Sequence, residues 1–355
     1  MIFSAAALLP AAARAAKDFT PQPGAWRKFA VTTRLEIAST NGAAQAWIPV
    51  PGIAEPGWFK SLGSDWATEG RVTLVRAPKY GAEMVHVRWD DGQDHRVIEV
   101  TSAIATRDRA VDLADARGAA ELSAAERQVN VEGTEFIPVD GIVKQTSDAI
   151  VARAAARTDI DKARAIYEWV VDHTYRDAKV RGCGEGDIVA MLKSGDLGGK
   201  CADINALYVG LVRAAGVPAR DVYGIRVAPS QFGYLSLGAN AALVTKAQHC
   251  RAEVYLSGLG WVPADPADVR KVVLEEPPTH LAMDDPKVRA ARQTLFGAWE
   301  TNWLAYNFAH DVALPGSQGR KVPFLMYPQA EVAGERLDCY DADNLKYTIV
   351  AKVIA

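Results

Sequence analysis

Cys201 follows Gly198, Gly199 and Lys200 and opens the run CADINALYVGLVRAAGVPAR, in which Ile204, Leu207, Tyr208, Leu211, Val212 and Ala215 recur at helical spacing. A cysteine in the first turn of a helix meets unpaired backbone N–H groups and the positive end of the helix dipole, and both favour thiolate over thiol. The thiolate is the nucleophilic form, so this position suits attack on an amide or ester carbonyl. Gly198 and Gly199 are expected to let a substrate carbonyl approach the backbone. The plainer alternative is a small buried hydrophobe, a common fate of free cysteine.

A nucleophilic thiol needs a base, and the base needs a group that fixes its orientation. His249 opens the strand-like run HCRAEVYL, and a glycine turn joins it to GWVPADP, which holds Asp265. Such a hairpin would bring His249 and Asp265 to the same end of adjacent strands. His173 and His310 are the rival bases. His173 falls late in its helix, where an imidazolium favours the C-terminal dipole, so capping suits it better. His310 follows the aromatic stretch Trp299, Trp303, Tyr306 and Phe308, which suits core packing. His86, His95 and His280 have no thiol or acidic partner in a patterned context.

The remaining cysteines, Cys183, Cys250 and Cys339, show no C-x-x-C spacing, so no zinc site, disulfide framework or structural disulfide is expected. A metal site from Cys183, Cys201, His249 and Cys250 is disfavoured, because neighbouring strand residues point to opposite faces. Cys250 is accordingly expected to pack away from His249, and Cys183, in the loop RGCGEGD, to lie near the cleft. The Asp338, Asp341 and Asp343 cluster lacks EF-hand spacing and reads as a solvated turn. No metal and no cofactor is expected.

The elements that must hold these residues follow from pattern. Runs at 29–37, 44–50, 71–77, 83–89 and 96–104 are rich in β-branched and aromatic residues, which predicts a small antiparallel sandwich or sheet. Ala, Arg, Asp and Glu then favour helix, and Asp161 is expected to open a patterned one. Strands are expected near 221–228, 248–256 and 260–264, helix from Pro286 to about Tyr306, and a closing strand at 345–355. The resulting division is 1–16 signal-like, 17–106 β-rich, 107–140 helical connector, 141–275 core and 276–355 C-terminal extension.

The 355 residues exceed what one core usually serves, and 49% hydrophobic with 23% charged residues excludes a mainly disordered chain. A net charge of -3 without a basic block gives no footing for nucleic acid. The run IFSAAALLPAAA (2–13) is too short to span a bilayer, which needs about 20 apolar residues. It resembles the apolar region of a secretory signal without a preceding basic residue, so a periplasmic or secreted protein is expected; an Ala-rich N-terminal helix is the alternative.

The segments GGKCADINALYVGLVRAAGVPARDVYGIRV, AQHCRAEVYLSGLGWV and PADPAD, preceded by ARAIYEWVVDHTY, resemble the motifs of the bacterial transglutaminase-like superfamily over about residues 140–270. The resemblance implies an α+β, papain-like transglutaminase core with Cys201, His249 and Asp265 as a catalytic triad, here preceded by the N-terminal β-rich domain. One departure is Arg251, where members often carry an aromatic residue; it could narrow, charge or re-aim the cleft. The implied function is a thiol enzyme that cleaves or transfers an acyl group at an amide through a thioester, a peptidase or amidase of the cell envelope acting on a peptide or protein. The alternatives are an amine-acceptor transglutaminase and a non-catalytic envelope protein that binds peptide or glycan.

Overall fold

The computed structural model describes residues 18–116, 118–341 and 343–355. The signal-like segment 1–16 lies outside them.

The longer strands of the first half are β1 (Arg27–Glu36), β2 (Ala44–Val50), β3 (Phe59–Thr68), β4 (Arg71–Arg76), β5 (Glu83–Trp89) and β6 (Val97–Thr106). Helices α1 (Ala124–Val131), α2 (Gly141–Arg153), α3 (Asp159–His173), α4 (Ile188–Ser194) and α5 (Cys201–Ala214) follow. Next come β7 (Ala219–Arg226), β8 (Gln248–Leu256), β9 (Gly260–Ala264), α6 (Pro266–Glu275), α7 (Pro286–Thr294), β10 (Trp303–Asn307), β11 (Gln329–Val332) and β12 (Lys346–Ile354).

Five of the β-rich runs fold as strands, in two five-stranded sheets. One is ordered β12-β1-β6-β3 with a short strand at Ala54–Glu55; the other runs from a short strand at Glu335–Arg336 through β11-β2-β5-β4. Leu35, Ile98 and Val100 of the first sheet pack with Ala46, Ile48 and Val87 of the second, which closes a sandwich. Segments distant in sequence meet here: β12 pairs with β1 along nine residues, and β11 pairs with β2. The sandwich therefore takes strands from both ends of the chain. Phe29, Val31, Phe59 and Ile104 of the first sheet also join the large core below.

That core is built around α5, whose residues are all buried. A helix hydrophobic on every side belongs inside a domain. It packs on β7 and β8 of the antiparallel sheet β9-β8-β7-β10 and is flanked by α2, α3 and α6. Thr158 and Asp161 form a capping box that starts α3 two residues before Asp161.

The region expected to be helical up to Tyr306 is corrected. Helix α7 stops at Thr294, Gly297 adopts φ 128°, and Trp303–Asn307 forms a fully buried strand on β7. The aromatic spacing imitates a helical stripe, but these rings fill the layer between the core sheet and the sandwich. Among the described residues no helix is long and apolar enough to cross a membrane.

Candidate active site

The loop before α5 is tied to the helix start by Asp203. Its carboxylate accepts the backbone N–H groups of Glu185 and Gly186, each at 2.9 Å, and of Lys200 at 2.9 Å. Gly184, at φ 93°, lies so close that a Cβ there would collide with that carboxylate. These bonds bring Cys183 of the loop beside Cys201. Gly198 and Gly199 also serve packing: a Cβ on Gly198 would meet the Tyr175 ring, and one on Gly199 the Asp203 side chain.

Cys201 is the first residue of α5, where its N–H has no acceptor within the helix. The structure brings His249 and Asp265 together with it. His249 Nε2 lies 2.8 Å from Asp265 Oδ2, and Cys201 neighbours the ring. Asp265 also caps α6: its Oδ1 accepts the N–H of Asp268 at 3.0 Å and Asn205 Nδ2 at 3.3 Å. One carboxylate thus starts a helix and orients the imidazole. Trp303 Nε1 donates to the His249 carbonyl at 3.2 Å and steadies the strand.

Other groups were not foreseen. Asp268 Oδ1 is 3.3 Å from His249 Nε2, and both Asp268 oxygens accept from Arg226 Nη2, at 2.6 and 2.7 Å. The doubled acid of PADPAD was the available signal, since residues three apart in a first helical turn share a face. Arg251 is fully buried, donates to the Glu300 carbonyl at 2.9 Å and has its guanidinium 5.2 and 4.8 Å from the Trp299 and Trp303 rings. Its Nε lies 3.6 Å from Asp265 Oδ2. The arginine at the departure from the resemblance thus adds positive charge behind Asp265.

Charge follows from these contacts. Burial alone would depress the His249 pKa, but Asp268 and Asp265 overcome it, against Arg226, and raise it to about 9. Hydrogen bonds from Cys183 and Cys250, and further ones with His249, hold the Cys201 thiol well below its usual range despite burial. The contact with Cys201 together with burial pushes Cys183 up, and burial followed by the same contact pushes Cys250 up, so both remain thiols that can donate. Cys250 is fully buried as expected, yet its thiol reaches Cys201 near Asn205 rather than serving the sheet alone. The site therefore favours a thiolate–imidazolium pair near neutral pH.

The other candidates stand apart. His173 ends α3, stacks on Trp169 at 4.5 Å and bonds the Trp169 carbonyl at 2.8 Å. His310 packs on Tyr80 at 4.8 Å beside a separate cavity of about 260 Å³, where burial lowers its pKa to about 4. Asp338 pairs with Arg181 at 2.7 Å, and Asp341 accepts the N–H of Asp343. His249, Asp265 and Asp268 offer donor atoms within 4.8 Å of one another, but the Arg226 guanidinium already binds both Asp268 oxygens. All four cysteines are free.

A cavity of about 450 Å³ opens onto Cys201 and His249. It is walled by Tyr327, Tyr340 and Tyr347, the last from β12 of the sandwich.

Residues 144–266 match the transglutaminase-like superfamily. An uncharacterized protein of Haemophilus influenzae is 36% identical over 330 residues, covering 88% of this chain and 87% of its own. The fold is similar to that of a candidate cysteine protease of Cytophaga hutchinsonii, at 12% identity and a TM-score of 0.50, over 93% of this chain and 99% of that one. The periplasmic domain of TgpA from Pseudomonas aeruginosa aligns at 16% identity with a TM-score of 0.33, over 69% and 88%.

Proposed function

The chain belongs to the transglutaminase-like superfamily through residues 144–266, and from that premise we propose that it is a thiol hydrolase cleaving amide bonds in peptides or proteins. The observation that carries this reading is that Cys201 and His249 share one cavity with Asp265 bonded behind His249, and that charges are set for a thiolate–imidazolium pair.

In the proposed cycle the Cys201 thiolate attacks the amide carbonyl carbon. The oxyanion forms against the Cys201 backbone N–H, and preorganised donors of this kind contribute several kcal/mol. The side chain of Gln248 is the proposed second donor: it lines the cavity beside His249, is 8% exposed, and its amide nitrogen bonds to no protein atom. His249 gives its Nδ1 proton to the departing amine, and the C–N bond breaks to leave a thioester. His249 then takes a proton from water, the hydroxide adds to the thioester, and the acid leaves as the thiolate reforms. Asp265 holds the ring through both halves.

Water at roughly 55 M, with no carboxylate among the described residues that line the cavity, favours hydrolysis over transfer. The proposed setting is the cell envelope, on the strength of the apolar segment 2–13. Mass spectrometry of a labelled peptide library, incubated with and without a primary amine, tests the reaction. Shortened peptides from the wild type, and none from Cys201→Ala, are expected. Amine-tagged products would replace hydrolysis with transfer, and unchanged peptides would overturn the enzymatic reading.

A further inference from the structure

The cavity at Cys201 has a charge opposite to that of the whole chain. The chain carries a net charge of -3, yet the ionisable side chains of the wall other than His249, the cysteines and the tyrosines are all cationic: Arg176, Lys200, Arg226, Lys246 and Lys271. Arg226 is committed to Asp268. Arg176 pairs with Glu275, which Lys271 shares at 3.7 Å, so a single carboxylate serves two cations. Two carboxylates therefore answer three of the five cations, and Lys200 and Lys246 are left without an ion pair among the described residues.

We propose that this cavity selects an acyl donor bearing a carboxylate next to the scissile amide, so that the substrates are acidic peptides. The inference rests on the hydrolase reading for the words "scissile amide", but the anion preference stands on the wall itself. Lys200 immediately precedes the nucleophile and Lys246 lies three residues before His249, and both line the cavity that holds the thiol. Burial, with the like charges of Arg226 and Arg176, lowers the Lys271 pKa against Glu275 and Asp268. Clefts lined by one sign of charge between low-dielectric walls concentrate the field and attract the opposite ion. The tyrosine wall supplies apolar contact for the rest of the peptide.

The carboxylate could belong to a Glu or Asp side chain or to a free C-terminus, and the test separates the two. Octapeptides carrying Glu, Gln or Lys at each position in turn, each as free acid and as C-terminal amide, are titrated onto the Cys201→Ala protein and also incubated with the wild type. Peptides with Glu beside the cleavage point, or with the free acid there, should bind about ten-fold more tightly than their Gln or amide twins. Lys246→Gln and Lys200→Gln should each erode that ratio while circular dichroism shows the fold unchanged. Equal binding of Glu and Gln twins overturns the proposal, whether or not peptides are cleaved. So does an acidic preference that both lysine variants leave intact. Acidic peptides that bind preferentially but are never cleaved would uphold the anion site and overturn the hydrolase reading.

Discussion

Asp268 binds Arg226 through both carboxylate oxygens, at 2.6 and 2.7 Å, in a pair that is almost wholly buried. The same carboxylate stands 3.3 Å from His249 Nε2, so the pair sets the charge around the imidazole as well as the position of α6. With Cys201 as thiolate and His249 as imidazolium, three anions (Cys201, Asp265, Asp268) balance three cations (His249, Arg226, Arg251). Such a cluster tolerates burial because every charge has a partner.

Removing one member should show in both stability and pH dependence. Asp268→Asn leaves Arg226 buried without its counterion, a change that costs about 3–5 kcal/mol where buried pairs are broken. Thermal unfolding should shift down accordingly. The same variant removes a carboxylate that raises the His249 pKa, so the alkaline limb of kcat/KM should move below the wild-type value near 9. A limb that stays in place while stability falls would reduce Asp268 to a structural role.

The wild-type rate should plateau across neutral pH. Cys201 is held well below its usual range, so the acid limb falls where the thiolate takes up its proton. His249 is raised from 6.5 to about 9, so the alkaline limb falls as the imidazolium deprotonates. Stability follows the same sign: the His249 contribution is fully present below pH 6.5 and disappears as pH rises through about 9. A pH–rate profile and a matching denaturation series check both halves.

Alkylation should discriminate among the thiols. Iodoacetamide near neutral pH should modify Cys201 first, because only its pKa is lowered, while Cys183, Cys250 and Cys339 are raised. Peptide mapping after partial reaction reads this directly, and uniform labelling would contradict the assigned charge states.

Asp265→Asn should reduce kcat on the order of a thousand-fold or more, because the imidazole loses the carboxylate that fixes its tautomer. Asparagine can still cap α6, so far-ultraviolet circular dichroism should change little. Near wild-type turnover would assign the orienting role to Asp268.

The candidate site was largely legible because its key residues sit in local motifs. Cys201 announces itself by glycines before a helical period, and His249 and Asp265 by a hairpin whose turn is only a few residues long. Asp268 lay in plain view, but its approach to His249 depends on how α6 leaves β9, which no local pattern records. The thiol of Cys183 meets Cys201 only after the Asp203 bonds fold the loop back, and that of Cys250 only once α5 packs on β8. In the fold, β3 escaped notice because only Phe59 of it is fully buried, so it lacks apolar alternation. The mispredicted stretch up to Tyr306 has its rings at helical spacing while its neighbours demand a strand. Pairing of β12 with β1 is a contact between chain ends, and periodicity carries no information about it.

Arg251 gives the last prediction. Its guanidinium lies against both the Trp299 and Trp303 rings, and burial, together with Arg226, lowers its pKa to about 10 even though Asp265, Asp268 and Glu300 favour its charge. Arg251→Met keeps an unbranched apolar chain against the tryptophans but removes a cation that restrains the Asp265 pKa. Burial and Asp268 already push that carboxyl up, so in the variant it should retain its proton to higher pH. A protonated Asp265 cannot balance the imidazolium, and the acid limb of kcat/KM should therefore move upward. Asp268→Asn acts on the opposite limb, so the two variants should be separable in a single set of pH profiles. Arg251→Lys tests the charge itself: an ammonium restores a positive charge but not the planar stack, so it should recover the acid limb at reduced stability. If Arg251→Met leaves the acid limb unmoved, the arginine serves only to pack against the two tryptophans.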